Sequence, residues 1–314
     1  MTTIPQGDRR NSAETNDLSR LEAIASRIRN RVFEHVLAND GGYLSQAMSS
    51  ADIFAALYGT VLKLGPVTGD TLPGDFSGVP GPANPHYRSG GRFNGERSAE
   101  GDVFLFSPAH YALVLYAALI EVGRLDSAAL GEFNVDGSTM EMIGAEHSPG
   151  VETTTGSLAQ ALSQACGIAL ARKMRAESGR TWVFMSDGEF QEGQTWEALA
   201  FASFHGLSGL RAVVDANGQQ CDGPMVDVCN VEPLKQRIEA FGCRAVEVDG
   251  HDIAALVSAM NDPVEVPLVV VARTNPAHTL PVSKEHAPGH YLRFKSPDER
   301  ARYEAFYTDR MVTI

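Results

Sequence analysis

Short apolar runs alternate with amphipathic segments along most of the 314-residue chain. The runs at 102–106, 181–185, 211–214, 242–248 and 267–273 have the length and composition of strands, and those at 211–214 and 267–273 are predicted to be buried. Between them, apolar residues recur every three or four positions, as they do in helices that pack on a sheet. This alternation predicts an α/β fold, a doubly wound and mostly parallel sheet with helices on both of its faces.

Two amphipathic helices are predicted before the first strand. The first spans Asp17–Ala38 and carries an apolar stripe along one side, formed by Leu21, Ile24, Ile28, Val32 and Val36. The second is predicted to begin at Ser49–Asp52, where serine and aspartate side chains are suited to capping, and to end at Leu62. A later helix, rich in alanine and serine, is predicted over 156–178.

The remaining segments differ in composition from the strands and helices. Residues 1–16 are polar and are predicted to form a flexible N-terminal arm, so that 17–314 form one domain with a C-terminal extension. Residues 65–102 are rich in glycine, proline and asparagine and predict a long surface loop, which often acts as a lid or binding segment. The arginines of this loop could meet an anionic group of a substrate, or they could be solvated.

The segment 181–223 has the pattern of one β-α-β unit with a polar turn after each strand. The first strand is followed by Asp187 and Gly188, and the second by Asn217. Because the crossover between parallel strands is right-handed, both turns are expected at the carboxyl edge of the sheet, where ligands bind in open α/β folds. Carboxylate and amide oxygens suit Mg²⁺ or Ca²⁺, while Gly188 and a helix N-terminus just after it favour an anion. The segment therefore predicts a metal-bridged diphosphate site, with a cofactor-free β-α-β unit as the alternative.

Two stretches in this unit, SDGEFQEGQTWEA and VVDANGQQCDG, resemble the thiamine-diphosphate motif of the transketolase family. Ser186 and Ala216 depart from that motif, but neither change removes a metal ligand. The resemblance implies thiamine diphosphate as the cofactor, with Mg²⁺ (or Ca²⁺) bound by Asp187, Asn217 and Gln219. It also implies a set of cofactor-binding residues, namely Gly156, Leu158, Asp187, Gly188, Glu189, Asn217 and Gln219.

Three further positions correspond to catalytic residues of the family. GGYLSQAMSSADIFAALYG resembles a family segment whose histidine faces the substrate, and Tyr43 occupies that position. A neutral phenol can donate a hydrogen bond but is a poor base near neutral pH. His110 matches the family's second active-site histidine and is expected to donate to a substrate oxygen or to the thiazolium-bound intermediate, with a helix cap or a surface residue as the alternative. Glu192 matches a glutamate that links two active sites across a subunit interface, or else is a solvated carboxylate at a helix start.

Other positions depart from the family pattern. Ala159 and Ala161 replace two glycines, which adds methyl groups where backbones usually approach closely. The C-terminal tail carries His278, His286 and His290 in place of a family segment that contacts the diphosphate. Any of these three histidines could make that contact, and the sequence does not choose among them.

Composition and charge exclude several classes of function. The net charge of −13 argues against nucleic-acid binding and against docking on an anionic membrane. No apolar run reaches the length of about eighteen residues that a transmembrane helix needs, and the N-terminus lacks the apolar core of a signal peptide. The four cysteines are irregularly spaced without a CxxC pair, which indicates reduced thiols in a cytoplasmic protein.

The resemblance covers approximately residues 20–290, which correspond to the diphosphate-binding half of a transketolase. It implies a separately encoded pyrimidine-binding subunit that completes each active site, in an α2β2 assembly. The function that follows is transfer of a two-carbon ketol or acyl unit between small molecules. Two alternatives stay open: a subunit of a pyruvate-type enzyme that decarboxylates a 2-oxo acid and transfers its acyl group, and a catalytically silent regulatory subunit.

Overall fold

In this computed structural model, the backbone is described for residues 6–282 and 287–313, and the side chains for 16–282 and 287–311. His286, one of the three histidines predicted to approach the diphosphate, lies outside these ranges. The strands are β1 (Gly41–Gly42), β2 (Val103–Phe106), β3 (Thr181–Ser186), β4 (Leu210–Ala216), β5 (Gln219–Gln220), β6 (Gly223–Pro224), β7 (Arg244–Asp249), β8 (Leu268–Arg273) and β9 (Leu292–Arg293). The helices are α1 (Gln6–Ala38), α2 (Leu44–Ala56), α3 (Ala112–Glu121), α4 (Gln160–Met174), α5 (Gly193–Phe204), α6 (Met225–Val228), α7 (Leu234–Ala240), α8 (Ile253–Met260) and α9 (Pro297–Thr313).

The central sheet has five parallel strands in the order β2-β3-β4-β8-β7. Side chains along β3 alternate between its two faces, because successive residues of a strand point in opposite directions. Trp182 and Phe184 join a core cluster with α1, α2, α3 and α8, whereas Val183 and Met185 join a second cluster with α4, α5 and α7. The predicted doubly wound α/β fold is confirmed. Within the described ranges, the chain has no helix with the length and apolar character that a membrane span requires.

The first two helices differ from their predicted boundaries. The stripe predicted on α1 is buried throughout, but the helix begins at Gln6 instead of Asp17. Residues 6–16 lack the apolar stripe on which the prediction rested, yet they contain no proline and include good helix formers, so the helix continues through most of the predicted arm. Helix α2 begins at Leu44 and not at Ser49–Asp52, and continues as a π-helical turn over Leu57–Val61.

The serines that predicted a cap instead lie inside α2 and are buried. The Ser50 hydroxyl donates to the Gln46 carbonyl at 2.6 Å, one helical turn earlier, and the Ser49 hydroxyl donates to the sheet residue Asp215. Hydroxyls that have such acceptors are tolerated within a helix, which is why the capping signal was misleading.

The helix that follows the acidic turn also begins later than predicted. A 3₁₀ turn over Asp187–Gln191 separates β3 from α5, which starts only at Gly193. The expected helix N-terminus directly after Gly188 is therefore wrong. The long loop is correct in outline: apart from a 3₁₀ turn at Gly90–Phe93 and one isolated bridge, residues 65–102 form no regular structure.

Helix α4 spans 160–174 instead of 156–178, and Ala159 immediately before it has φ of +68°. Left-handed backbone favours glycine, which is the family's residue at this position.

We predict that Ala159→Gly changes the free energy of unfolding by less than about 0.5 kcal/mol. Relief of the strain of a left-handed alanine should offset the loss of a buried methyl group and the added entropy of the unfolded chain. Ala161→Gly, inside the helix, is the matched control and should cost about 1–2 kcal/mol. If urea denaturation showed that both variants lose the same free energy of unfolding, the left-handed conformation of Ala159 would be contradicted.

The C-terminal part of the chain packs back onto the first helix, which the sequence pattern did not predict. The Phe33 ring of α1 lies 5.4 Å from Tyr307 and 6.2 Å from Tyr303 of α9, in edge-on contacts. Strand β9 pairs antiparallel with β1, and the Ser45 hydroxyl donates to the Gly289 carbonyl at 3.2 Å. These contacts hold the segment before β9 against the N-terminal end of α2.

Candidate functional site

The two polar turns of the β-α-β unit meet at the carboxyl edge of the sheet. Asp187 Oδ2 accepts a hydrogen bond of 2.7 Å from the Gly218 backbone N–H. Asp187 and Asn217 are only 4% and 5% exposed. The parallel pairing of β3 with β4 thus brings together the two turns that are far apart in sequence, as the strand pattern predicts.

The Asn217 side chain is held in one orientation by its neighbours. Its amide nitrogen donates to the Tyr111 hydroxyl at 3.1 Å and to Asp215 Oδ2 at 3.2 Å. Its amide oxygen accepts from the Gln219 backbone N–H at 2.8 Å. Because an amide oxygen has two lone pairs, one remains available for a further ligand such as a cation.

Asp215 organises this arrangement, and the sequence analysis assigned it no role beyond the end of a strand. Its carboxylate accepts hydrogen bonds from Ser49 Oγ at 2.6 Å, from Tyr111 Oη at 2.9 Å and from Thr274 Oγ1. The group is fully buried, and burial raises its pKa. The only signal in the sequence was an aspartate at the end of an otherwise buried strand, a position where charge is rare without partners.

A cleft of about 290 Å³ lies beside the two turns. The predicted site residues that line it are His110, Gly156, Leu158, Asp187, Gly188, Glu192 and Gln219. His290 also lines it, whereas Tyr43, Glu189 and Asn217 do not. The cleft wall therefore collects most of the predicted cofactor-binding residues.

Glu189 is not placed to touch a ligand in this cleft, contrary to its predicted cofactor-binding role. It is completely buried, and burial raises its pKa. Its carboxylate accepts from the Ser107 hydroxyl, from the Ala159 N–H at 2.7 Å and from the Ser186 N–H at 2.8 Å. Glu189 therefore ties together three segments that border the cleft, and its influence on the cleft is indirect.

Three aromatic rings converge next to the cleft. His110 lies 4.7 Å from His290 and 5.7 Å from Tyr43 between ring centroids, and Tyr43 lies 5.6 Å from His290. The Gln46 amide donates to the His290 carbonyl at 3.0 Å and so fixes its position. His278 is elsewhere, where its ring stacks on His251 at 3.6 Å. Of the two tail histidines that the structure describes, His290 is the one at the cleft.

Burial, reinforced by the neighbouring His290, lowers the pKa of His110 to about 3. We predict that the ring stays neutral between pH 5 and 8 in a histidine NMR titration, with its signal identified by its loss in His110→Gln. Unfolded histidine binds a proton below about pH 6.5. The free energy of unfolding should therefore decline as the pH falls from about 6.5 towards 3, because His110 stays neutral in the folded protein. The decline should be smaller in His110→Gln. A midpoint near 6.5 for His110 would contradict this environment.

Two glycines leave the backbone of the cleft wall open. A Cβ added at Gly156 would meet no other atom within 4 Å, and one at Gly188 would meet only Ser186 Oγ at 4.0 Å. The backbone of both glycines is thus open to a close ligand. Among the residues that the structure describes, no lysine or arginine lines the cleft, so there an anion beside the Asp187 carboxylate would need a cation between them. Asp187 and Asn217 supply the hard oxygen atoms that such a cation prefers.

Comparison with known proteins identifies the family of the chain. The sequence profile of the family described as "Transketolase, thiamine diphosphate binding domain" matches residues 92–290. The chain belongs to the transketolase family. A putative uncharacterized transketolase family protein of Sinorhizobium fredii, y4mO, is 34% identical to this transketolase-family chain over 284 residues, which are 88% of this chain and 91% of that protein. Human transketolase is 30% identical over 260 residues, which are 82% of this chain and 37% of that enzyme.

Solved transketolases share the fold of this transketolase-family chain. The crystal structure of transketolase from Campylobacter jejuni matches 94% of this chain with a TM-score of 0.70 and 21% identity, over 48% of its own length. A Pichia stipitis transketolase in complex with sedoheptulose 7-phosphate matches 94% with a TM-score of 0.68 and 23% identity, over 45% of its length. This chain therefore spans less than half the length of these transketolases.

Proposed function

We propose that this chain binds thiamine diphosphate through a divalent cation, Mg²⁺ (or Ca²⁺), held by Asp187 and Asn217. The observation that carries the proposal is the hydrogen bond between Asp187 and the backbone of Gly218, which joins the two turns beside a glycine-lined cleft. Family membership supports it, because the matched family is described as a thiamine-diphosphate-binding domain.

In this proposal the predicted site residues at the cleft have different roles in binding the cofactor. The Asp187 carboxylate and the free lone pair of the Asn217 amide oxygen would ligate the cation, with Gln219 beside them. Gly156 and Gly188 would leave room for phosphate oxygens close to the backbone, and the half-buried Leu158 would offer an apolar surface. Glu189 would hold the surrounding loops in register without touching the cofactor.

Thiamine diphosphate, when bound, supplies the carbanion chemistry that two-carbon transfer needs. We assign His110, neutral at physiological pH, as a hydrogen-bond partner for a substrate oxygen. Tyr43 stands where the family has a histidine, and burial raises its pKa, so its phenol would donate a hydrogen bond without accepting a proton. The two residues would therefore position a substrate, while a base for the reaction would have to come from elsewhere in the site.

We further propose a separately encoded pyrimidine-domain subunit, with which the chain forms an α2β2 cytoplasmic enzyme. The support is the length relation: the match covers 37% of human transketolase but 91% of the rhizobial relative. Glu192, exposed at the cleft wall, would face the subunit boundary and link neighbouring sites.

Reconstitution tests this function. The purified chain, a pyrimidine-domain protein from the neighbouring reading frame, thiamine diphosphate and Mg²⁺ are mixed with a ketose donor and an aldehyde acceptor. We predict ketol transfer in the mixture and none with either subunit alone. Carbon dioxide release from pyruvate would favour the acyltransferase alternative. Turnover by the chain alone would reject the partner requirement, and cofactor binding by the complex without any turnover would favour the silent regulatory subunit.

A further inference from the structure

A second pocket lies at the edge of the sheet opposite the cleft. It has a volume of about 490 Å³ and is lined by the start of β3 and β4, including Thr181 and Arg211. Because the strands are parallel, their first residues are at the amino edge, whereas Asp187 and Asn217 follow their last residues. This amino-edge pocket is therefore separate from the proposed cofactor site.

The amino-edge pocket is positively charged, in contrast to the protein as a whole. Its walls carry four cationic side chains and one carboxylate, that of Glu177. The cationic residues are Arg172, Lys173, Arg180 and Arg211. In a chain with a net charge of −13, such a concentration of positive charge in one concave site is unexpected from composition.

Most contacts of these cations are with uncharged groups. An Arg172 nitrogen donates to the carbonyl of Gly101 at 2.7 Å, and the Lys173 ammonium donates to that of His205 at 2.7 Å. The Arg211 guanidinium donates to the Asp262 carbonyl at 2.8 Å. Carbonyl oxygens satisfy hydrogen bonds but leave the positive charge uncompensated, so an anion would gain from all of these groups.

The nearby carboxylates are already engaged. Glu177 lies 3.4 Å from Arg172 and also pairs with Arg175 outside the pocket. Asp102 accepts from the Trp182 indole N–H at 3.1 Å and from backbone N–H groups. An Asp262 carboxylate oxygen lies 3.3 Å from Arg244. These carboxylates therefore offset only part of the positive charge of the four cationic side chains.

Three buried groups in the wall lack hydrogen-bond partners among the described residues. They are the Nε atoms of Arg172 and Arg211, which are 4% and 5% exposed, and the hydroxyl of Thr181. Burial and the adjacent Arg180 lower the pKa of Arg211 to about 10. Since unpaired buried donors are costly and clustered cations repel each other, the protein alone does not satisfy this site.

We propose that the amino-edge pocket binds the phosphate group of a small molecule through Arg180, Arg211 and Lys173. A compact dianion matches the clustered guanidinium and ammonium donors, and the volume accommodates an organic phosphate as well as the free ion. The net charge of the protein would repel a long polyanion such as a nucleic acid. A divalent cation is disfavoured by the same four positive side chains.

Isothermal titration with inorganic phosphate and with glycerol 1-phosphate tests this proposal. EDTA in the buffer removes any cation-bridged binding at the cleft, so the result does not depend on the proposed cofactor site. We expect one saturable site per chain, and at least about tenfold weaker binding in the double variant Lys173→Gln/Arg180→Gln. If glycerol 1-phosphate binds more tightly than inorganic phosphate, the ligand is an organic phosphate. If the two bind equally, the ligand is the free phosphate ion.

The control Lys235→Gln/Arg237→Gln also removes one lysine and one arginine, but from α7, outside the pocket. Its affinity for phosphate should stay within about twofold of that of the unaltered protein. Ser208→Asp adds a negative charge at an exposed wall position and should also weaken binding, even if the double variant fails to fold. Absence of saturable binding, equal losses in the control, or unchanged binding in Ser208→Asp would overturn the proposal.

Discussion

Asp187→Asn is expected to weaken Mg²⁺-dependent binding of thiamine diphosphate by about 100-fold or more, since even residues behind the ligands of a metal typically contribute 10- to 100-fold. The substitution keeps the size of the side chain and an oxygen that can accept from Gly218, so the joined turns should persist. What it removes is the negative charge that attracts the cation towards the diphosphate. Within 16–282 and 287–311, no lysine or arginine lines the cleft to replace that cation.

Titration calorimetry with Mg²⁺ and with EDTA separates this effect from general damage. The unaltered protein should bind the cofactor much more tightly with Mg²⁺, and Asp187→Asn should bind equally weakly in both buffers. Asp136→Asn, at an exposed aspartate away from the cleft, is the matched control and should behave like the unaltered protein. Retention of metal-dependent affinity in Asp187→Asn would reject Asp187 as a ligand.

Asp215→Ala is expected to lower the free energy of unfolding by about 3 kcal/mol, because it removes a buried acceptor shared by several donors. The hydroxyls of Tyr111 and Thr274 would lose their acceptor inside the protein, and that of Ser49 would keep only the Gln46 carbonyl at 3.2 Å. The Asn217 amide would lose one of the two groups that hold its nitrogen. Cofactor affinity should fall as well, since the amide oxygen would no longer be fixed towards the cation.

Urea denaturation monitored by circular dichroism measures the first effect, and calorimetry the second. Asp136→Ala removes an exposed carboxylate and should change the free energy of unfolding by less than about 0.5 kcal/mol. Asp215→Asn keeps one acceptor oxygen, so its free energy of unfolding should lie between those of Asp215→Ala and Asp136→Ala. A stability equal to that of the Asp136→Ala control would show that the Asp215 network does not support the site.

The sheet was predictable because four of its strands, β2, β3, β4 and β8, are buried on both faces and are continuous apolar runs. The edge strand β7 is half-exposed and carries charged residues, but it too matches a predicted strand within a few residues. Helix ends were less predictable where hydroxyls found partners in the folded protein. Ser49 predicted a cap but bonds to Asp215, a residue 166 positions away, and that contact exists only after the sheet has formed.

The candidate site was predictable where local motif and strand geometry agree. Asp187 and Asn217 follow neighbouring parallel strands, so their proximity follows from topology alone. Glu189 was misjudged because its sequence neighbours face the cleft while its own side chain turns into the interior. His290 could not be chosen over His278, because its position depends on the pairing of β9 with β1, a contact between distant segments.

A crystal structure with thiamine diphosphate and Ca²⁺, in which the anomalous signal locates the ion, would show directly whether Asp187 and Asn217 hold the cation. We predict one ion bound by oxygen atoms of Asp187 and Asn217 at about 2.4 Å, and by the diphosphate on its other side. An ion held away from these two side chains, or a diphosphate bound outside the cleft lined by Gly156 and Gly188, would contradict it.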